Sequence, residues 1–209
     1  MFRNIESCNN INSYTSNSNN VYAYLTCDEQ IFNFDYNKTG DSLELSNKTI
    51  TPSGTNSHDV LKNAPSPEVK IGNETKIVRI IVDTKNNHLY TYNEYGEPQM
   101  AYLIASGKPS TPTNKGLRYI NHYEKYPYSS ATNTKRKKNP DAYGPHIMYL
   151  REVNQNTGKV GGSNGEFIHG NNDIDSLGKH ASGGCIRMDN DVIKQLVNEI
   201  PKGSYVLIK

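Results

Sequence analysis

The chain has 209 residues, room for one domain of ordinary size and an appendage. Its 23 basic and 21 acidic side chains leave a net charge of +2, too weak a field to draw a nucleic-acid partner. Only 34% of residues are hydrophobic, yet 15 tyrosines add amphipathic bulk, and no apolar run approaches transmembrane length.

Eleven of the first twenty residues are Asn or Ser, so residues 1–20 are predicted as a flexible tail. Met1 is not followed by a basic-then-apolar leader. Three cysteines leave an odd one whichever two pair. A Cys8–Cys27 disulfide and two unpaired thiols are both open readings.

Residues 21–75 are predicted as a small β appendage and a linker. Residues 21–26, 30–36 and 41–46 alternate or carry β-formers and read as short strands. They form either a separate unit or extra edge strands of the main domain. The second is favoured, because so short a unit is marginal alone. Residues 51–75, with Pro52, Gly54, Pro65 and Pro67, read as linker. Asn37-Lys38-Thr39, Asn47-Lys48-Thr49 and Asn73-Glu74-Thr75 fit the glycosylation pattern, which an Asn-rich chain produces by chance.

Residues 76–209 are predicted to be the catalytic domain. Residues 77–83, 88–92 and 99–105 are strand-like and joined by turn-forming connectors, giving a meander. Residues 118–123, 146–150 and 166–169 add strands. Val192, Ile193, Leu196, Val197 and Ile200 share one helical face, capped by Asp189 or Asn190 and stopped by Pro201 and Gly203. Residues 204–208 return as a strand.

The chemistry lies late in the chain. His169-Gly170 precedes by sixteen residues a cysteine set in Ser182-Gly183-Gly184-Cys185-Ile186-Arg187-Met188. A thiol attacks strongly only as thiolate, which requires an electropositive, partly open setting and an imidazole at hand. Glycines let the backbone approach a substrate, and amides beside the sulfur can hold an oxyanion. The spacing suits two neighbouring strands joined by a loop, and the pattern points to acyl transfer. Most buried cysteines are inert small hydrophobes, but the small-residue context argues against that fate here. Cys185, His180 and His169 lack the closely spaced pairs of a zinc site, so neither metal nor cofactor is expected. A papain-like order also fails, since no histidine follows Cys185.

These residues resemble the signature of the L,D-transpeptidases, the YkuD-type catalytic domain of bacterial cell-wall enzymes. The resemblance takes in His169-Gly170, Ser176-Leu177-Gly178 and residues 182–188. Upstream it includes Ala105-Ser106-Gly107-Lys108-Pro109-Ser110-Thr111-Pro112-Thr113-Asn114-Lys115-Gly116, Asn139-Pro140 and Tyr143-Gly144-Pro145. It covers about residues 76–209 and implies a mostly β fold, a two-sheet β-sandwich with a short helix after the cysteine, in agreement with the pattern above. One departure stands out. Many members carry a second histidine two residues before the cysteine, where this chain has Gly183.

The resemblance implies that Cys185 attacks the carbonyl between the L-centre of a diamino acid and the terminal D-Ala of a peptidoglycan stem tetrapeptide. A neighbouring stem amine then gives a 3→3 cross-link. Water or a free D-amino acid as acceptor gives carboxypeptidase or exchange activity, and a decayed wall-binding module is a third reading. A carbapenem is expected to acylate the same sulfur. His169 is the expected base and acid, the Gly170 carbonyl its orienting partner, and the amides of Gly184 and Cys185 the oxyanion donors. Ser182 is expected to brace the cysteine loop, and Gly183 and Tyr143 to meet substrate. Arg187 either anchors a substrate carboxylate or braces the loop through an ion pair. His180 is a partner of the site or a surface histidine. Tyr123, Tyr126, Tyr128 and Tyr143 line a peptide groove or pack. Lys135-Arg136-Lys137-Lys138, where the family has a lid, steers anionic wall polymers or is a solvated loop. A wall enzyme works outside the cytoplasm. Its signal therefore lies outside this sequence, or it leaves by another route, as a secretion-system effector does. The stem diamino acid and the oligomeric state are not specified by the sequence.

Overall fold

The computed structural model describes residues 50–128, 142–171 and 173–209, and the backbone of residues 10–15, 20–27, 30–37 and 140–141. Strands β1 (Asn10–Thr15), β2 (Asn20–Cys27) and β3 (Gln30–Asn37) form an antiparallel three-stranded sheet. Two expectations change here. Residues 10–15 are not tail, because a ladder is made by backbone groups that Asn and Ser supply like any other residue. The strands also pair with one another instead of extending the main sheet. Residues 41–46, Cys8 and the basic run at 135–138 lie outside the described residues.

The second compact unit runs from Ile50 to Lys209. The expected linker at 51–75 is instead part of it. It holds a helical turn, α1 (His58–Leu61), and a hairpin of β4 (Glu68–Ile71) and β5 (Glu74–Ile77). Gly72 and Asn73 make the two-residue turn, with Gly72 at φ +60, and Val69 and Ile71 alternate inward onto the core. The prolines that suggested a linker flank this hairpin without entering it.

The main body is one eight-stranded sheet, in the order β14-β12-β11-β10-β15-β6-β7-β8. Its strands are β6 (Ile80–Asp83), β7 (His88–Tyr92), β8 (Pro98–Leu103), β10 (Gly116–Lys125), β11 (His146–Glu152), β12 (Phe167–Gly170), β14 (Ile186–Met188) and β15 (Tyr205–Ile208). Two crossings are parallel, β12 with β14 and β15 with β6. Just past β8, Ala105 exchanges both backbone hydrogen bonds with Arg187 on the opposite edge strand. Next to this bridge, β9 (Ser106–Gly107) pairs with β13 (His180–Ser182). The two layers of the expected sandwich are thus halves of one curled sheet, with the Ala105–Arg187 bridge joining its two ends.

Alternation sorts the side chains. Ile80, Val82, Ile120, Met148, Leu150, Ile168, Ile186 and Met188 point inward to the larger core, where the helix α3 (Asn190–Glu199) adds Val192, Ile193 and Leu196. Each such fully buried aliphatic is worth about 1.5–3 kcal/mol. Asp189 caps the helix by accepting from the amides of Asp191 and Val192. A short turn, α2 (Pro140–Tyr143), precedes β11. Ile81, Tyr90, Leu117 and Val153 face a second core with Val69 and Ile71.

One irregularity shapes the outer face of the sheet. Between Ile120 and His122 the β10–β11 register slips, leaving Asn121 unpaired as a bulge. After it, Tyr123 packs against the inner core, while His122 and Glu124 turn outward with Ile147 and Tyr149.

Candidate active site

Strands β12 and β14 run parallel with Ile168 opposite Ile186 and His169 opposite Arg187. Both isoleucines belong to the inner core. Phe167, His169, Cys185 and Arg187 therefore alternate to the outer face, and Cys185 packs on the outer cluster of Tyr128, Ile147 and Phe167. The structure thus brings imidazole and thiol onto one face of adjacent strands. Cys185 is half-buried, and its Sγ lies 3.9 Å from the Gly165 carbonyl.

His169 is buried, and its Nδ1 is 2.6 Å from the carbonyl oxygen of Gly170. A carbonyl only accepts, so Nδ1 carries the proton and Nε2 presents its lone pair. Burial pushes this histidine down to about 4, against the opposing pull of the Gly170 hydrogen bond and with a small push from the Arg187 charge. At neutral pH the ring is an uncharged base. Tyr143 packs on it, ring centroids 4.8 Å apart.

The cysteine loop is held from within by the segment 107–114. The Lys108 amide and the Thr111 hydroxyl both donate to the Ser182 carbonyl, at 3.0 and 3.3 Å. Thr113 Oγ1 donates to the Gly184 carbonyl at 2.8 Å while accepting from the Gly107 amide at 2.9 Å. Ser182 Oγ donates to the Cys185 carbonyl at 2.6 Å and accepts from the Gly184 amide at 3.1 Å. Ser182 is thus a brace of the loop. The Gly184 amide, expected to face an oxyanion, is engaged by Ser182 instead. Gly184 sits at φ +122, a backbone region that favours glycine, and this lets the chain turn inward to that hydroxyl.

Beneath Gly184 lies a group that the sequence alone did not reveal. The Glu166 carboxylate is buried and accepts from the Asn114 amide at 2.8 Å and from the side chains of Asn114 and Asn164 at 2.9 and 2.7 Å. Arg118, also buried, stands 3.7 Å away. A lone Glu before a strand gives no sequence signal of this. Only its position one residue ahead of the strand carrying His169 hints at it.

The other expected residues divide. Gly183 is exposed, with open space where a side chain would be. Arg187 is half-buried, and among the described residues its guanidinium makes no salt bridge or hydrogen bond, so the expected loop-bracing ion pair is not found there. His180 joins a side network, its Nδ1 2.9 Å from Ser106 Oγ, which donates to Asn87. Tyr128 and Tyr143 belong to the outer cluster beside Cys185, and Tyr126 packs edge-on against Tyr128. Tyr123 does not line this face; its hydroxyl donates to the Ile200 carbonyl at the inner core.

The family profile of the L,D-transpeptidase catalytic domain, YkuD, matches residues 77–208. Two Bacillus subtilis (strain 168) proteins provisionally named as L,D-transpeptidases are similar. YqjB is 32% identical over 62% of this chain and 69% of its own length. YkuD is 34% identical over 51% of each. This chain therefore spans about half to two-thirds of the curated relatives it matches. The solution structure of the catalytic domain of the Enterococcus faecium L,D-transpeptidase is 26% identical, covers 64% of this chain and 98% of that one, and superposes with a TM-score of 0.43.

Proposed function

Because the chain belongs to the family of L,D-transpeptidase catalytic domains, we propose that it is a cysteine acyltransferase that forms 3→3 cross-links between peptidoglycan stem peptides. The observation that carries this reading is the shared face of His169 and Cys185, with Nδ1 of the imidazole locked on Gly170. That lock leaves Nε2 to take the thiol proton as sulfur attacks the carbonyl before the terminal D-Ala. The tetrahedral oxyanion needs a backbone donor. With the Gly184 amide held by Ser182, the Cys185 amide is the member of the expected pair assigned that role.

Collapse of the intermediate breaks the amide bond. The leaving amine takes the proton from His169, D-alanine departs, and a thioester remains on Cys185. The amine of a second stem then attacks the thioester, passes its proton to His169, and expels the sulfur as thiol. Arg187, on the same face and next to the imidazole, holds the carboxylate of the departing D-alanine. The site of action is the cell wall or periplasm, where stems are found.

Incubating the protein with purified disaccharide tetrapeptides and weighing the products tests this. The reading expects free D-alanine and a 3→3 dimer one D-alanine lighter than two monomers. Tripeptide without dimer reassigns the acceptor to water. Unchanged tetrapeptide overturns the substrate.

A further inference from the structure

At the C-terminal end of α3 lies a cleft of about 400 Å³, a volume within the range of small-molecule sites. Gln195 and Glu199 of the helix form one wall, Arg79 just before β6 another, and Gln99 and Met100 at the start of β8 a third. The helix begins at Asn190, whose side chain adjoins Gly170, and its ten residues rise about 15 Å. The cleft and the carbonyl that orients His169 therefore stand at opposite ends of one helix. No step of the proposed reaction uses the cleft.

The polar groups of these walls are held in place and only partly engaged. Arg79 Nε donates to the Tyr92 carbonyl at 2.6 Å, which fixes the plane of the guanidinium, while its two terminal nitrogens have no partner among the described residues. Gln195 Nε2 donates to Glu199 Oε1 at 2.6 Å. The Gln195 amide oxygen and Glu199 Oε2 are left over, both on exposed side chains. Gln99, also exposed, donates from Nε2 to the Glu97 carbonyl at 3.1 Å and keeps its amide oxygen. Arg79 and Glu199 form no salt bridge with each other, so the cleft presents a fork of donors and a set of acceptors with no net charge. Half-buried Met100 gives it an apolar base.

That mixture selects a ligand class. An oxyanion would meet the Glu199 carboxylate, and an ammonium would meet the Arg79 guanidinium. A hydroxyl donates and accepts at once, so a ring bearing several hydroxyls satisfies both walls. The planar fork of Arg79 suits two neighbouring oxygens. We propose that this cleft binds a saccharide, and that its partner is the glycan strand of the wall. The saccharide class rests on the cleft, and the wall strand rests on the stem-peptide reading. A strand held there leaves the cysteine site open and keeps its stems at high local concentration.

The test is an NMR titration of the isotope-labelled full chain with short wall-glycan chains freed of their stems. Amide signals of Arg79, Gln99 and residues 195–200 are expected to shift, and those around Cys185 to stay in place. Gln195→Ala combined with Glu199→Ala, at two exposed helix positions, should weaken binding about tenfold or more, which is about 1.4 kcal/mol. Its thermal midpoint checks that it folds. Arg79→Lys, which keeps the charge and loses the fork, should weaken binding similarly. No shifts in the native chain, shifts confined to the surroundings of Cys185, or undiminished affinity in both variants overturns the site. Displacement of the glycan by free alanine or by a sugar-free tetrapeptide overturns the saccharide assignment. Binding is read without the reaction, so D-alanine release from the sugar-free tetrapeptide decides the transpeptidase reading separately.

Discussion

The carbonyl of Gly170 lies 2.6 Å from Nδ1 of His169, a contact between consecutive residues at the end of a strand. It fixes the tautomer of a buried ring whose burial pushes it from an ordinary 6.5 down to about 4. In the window between those values the unfolded chain binds more protons than the folded one. Stability therefore rises with pH through the window and is lost as pH falls below 6.5. The full loss is about 3 kcal/mol. Denaturant midpoints of the native chain and His169→Gln, compared at pH 7 and near pH 4, should converge as pH falls.

The same displacement sets the acid limb of activity. A base of this kind stays unprotonated well below neutrality, so kcat/KM for D-alanine release should hold until the pH nears 4. An acid limb at 6.5 would mean a solvated imidazole, at odds with the burial of His169.

Two glycines near the site should respond oppositely to a methyl group. A Cβ on Gly170 would collide with Asn190 Oδ1, a side-chain end that can turn away, and stand 2.8 Å from the Pro145 ring, so that ring or the strand end must move. Gly170→Ala is expected to cost about 1–3 kcal/mol and to slow D-alanine release by about tenfold or more as the imidazole loses its fixed acceptor. Gly183→Ala meets open space and should leave the unfolding free energy within the spread of surface changes, about 0.5 kcal/mol.

Thr113 ties the segment before β10 to the cysteine loop through a single hydroxyl that both accepts and donates. Thr113→Val keeps the shape and orphans the Gly107 amide and one bond of the Gly184 carbonyl, costing about 1–3 kcal/mol. Because the loop carries the nucleophile, kcat should fall more than KM rises. Thr113→Ser should restore most of both.

What the sequence made legible was local. The helix after the cysteine showed its apolar face at Val192, Ile193 and Leu196 and a cap at Asp189 or Asn190; the buried face is present and Asp189 is the cap. The meander of 77–105 was readable because its turns use side chains that bond their own backbone, as Asp83 and Asn93 do. The hairpin of 68–77 turns on Gly72-Asn73, a short signal beside the linker-like prolines at 65 and 67. Less legible were pairings over distance. Asn114 and Glu166 are 52 residues apart, and nothing local marks either as the brace under the cysteine loop. The bulge at Asn121 was equally hidden, because a slip of one residue depends on the partner strand.

The most direct measurement of the central claim is the intact mass of the protein, quenched in acid after mixing with stem tetrapeptide. The account predicts an adduct equal to the peptide minus D-alanine, mapping to Cys185 on digestion and absent from Cys185→Ala. D-alanine release that persists in Cys185→Ala, or an acyl group carried on another residue, would contradict it.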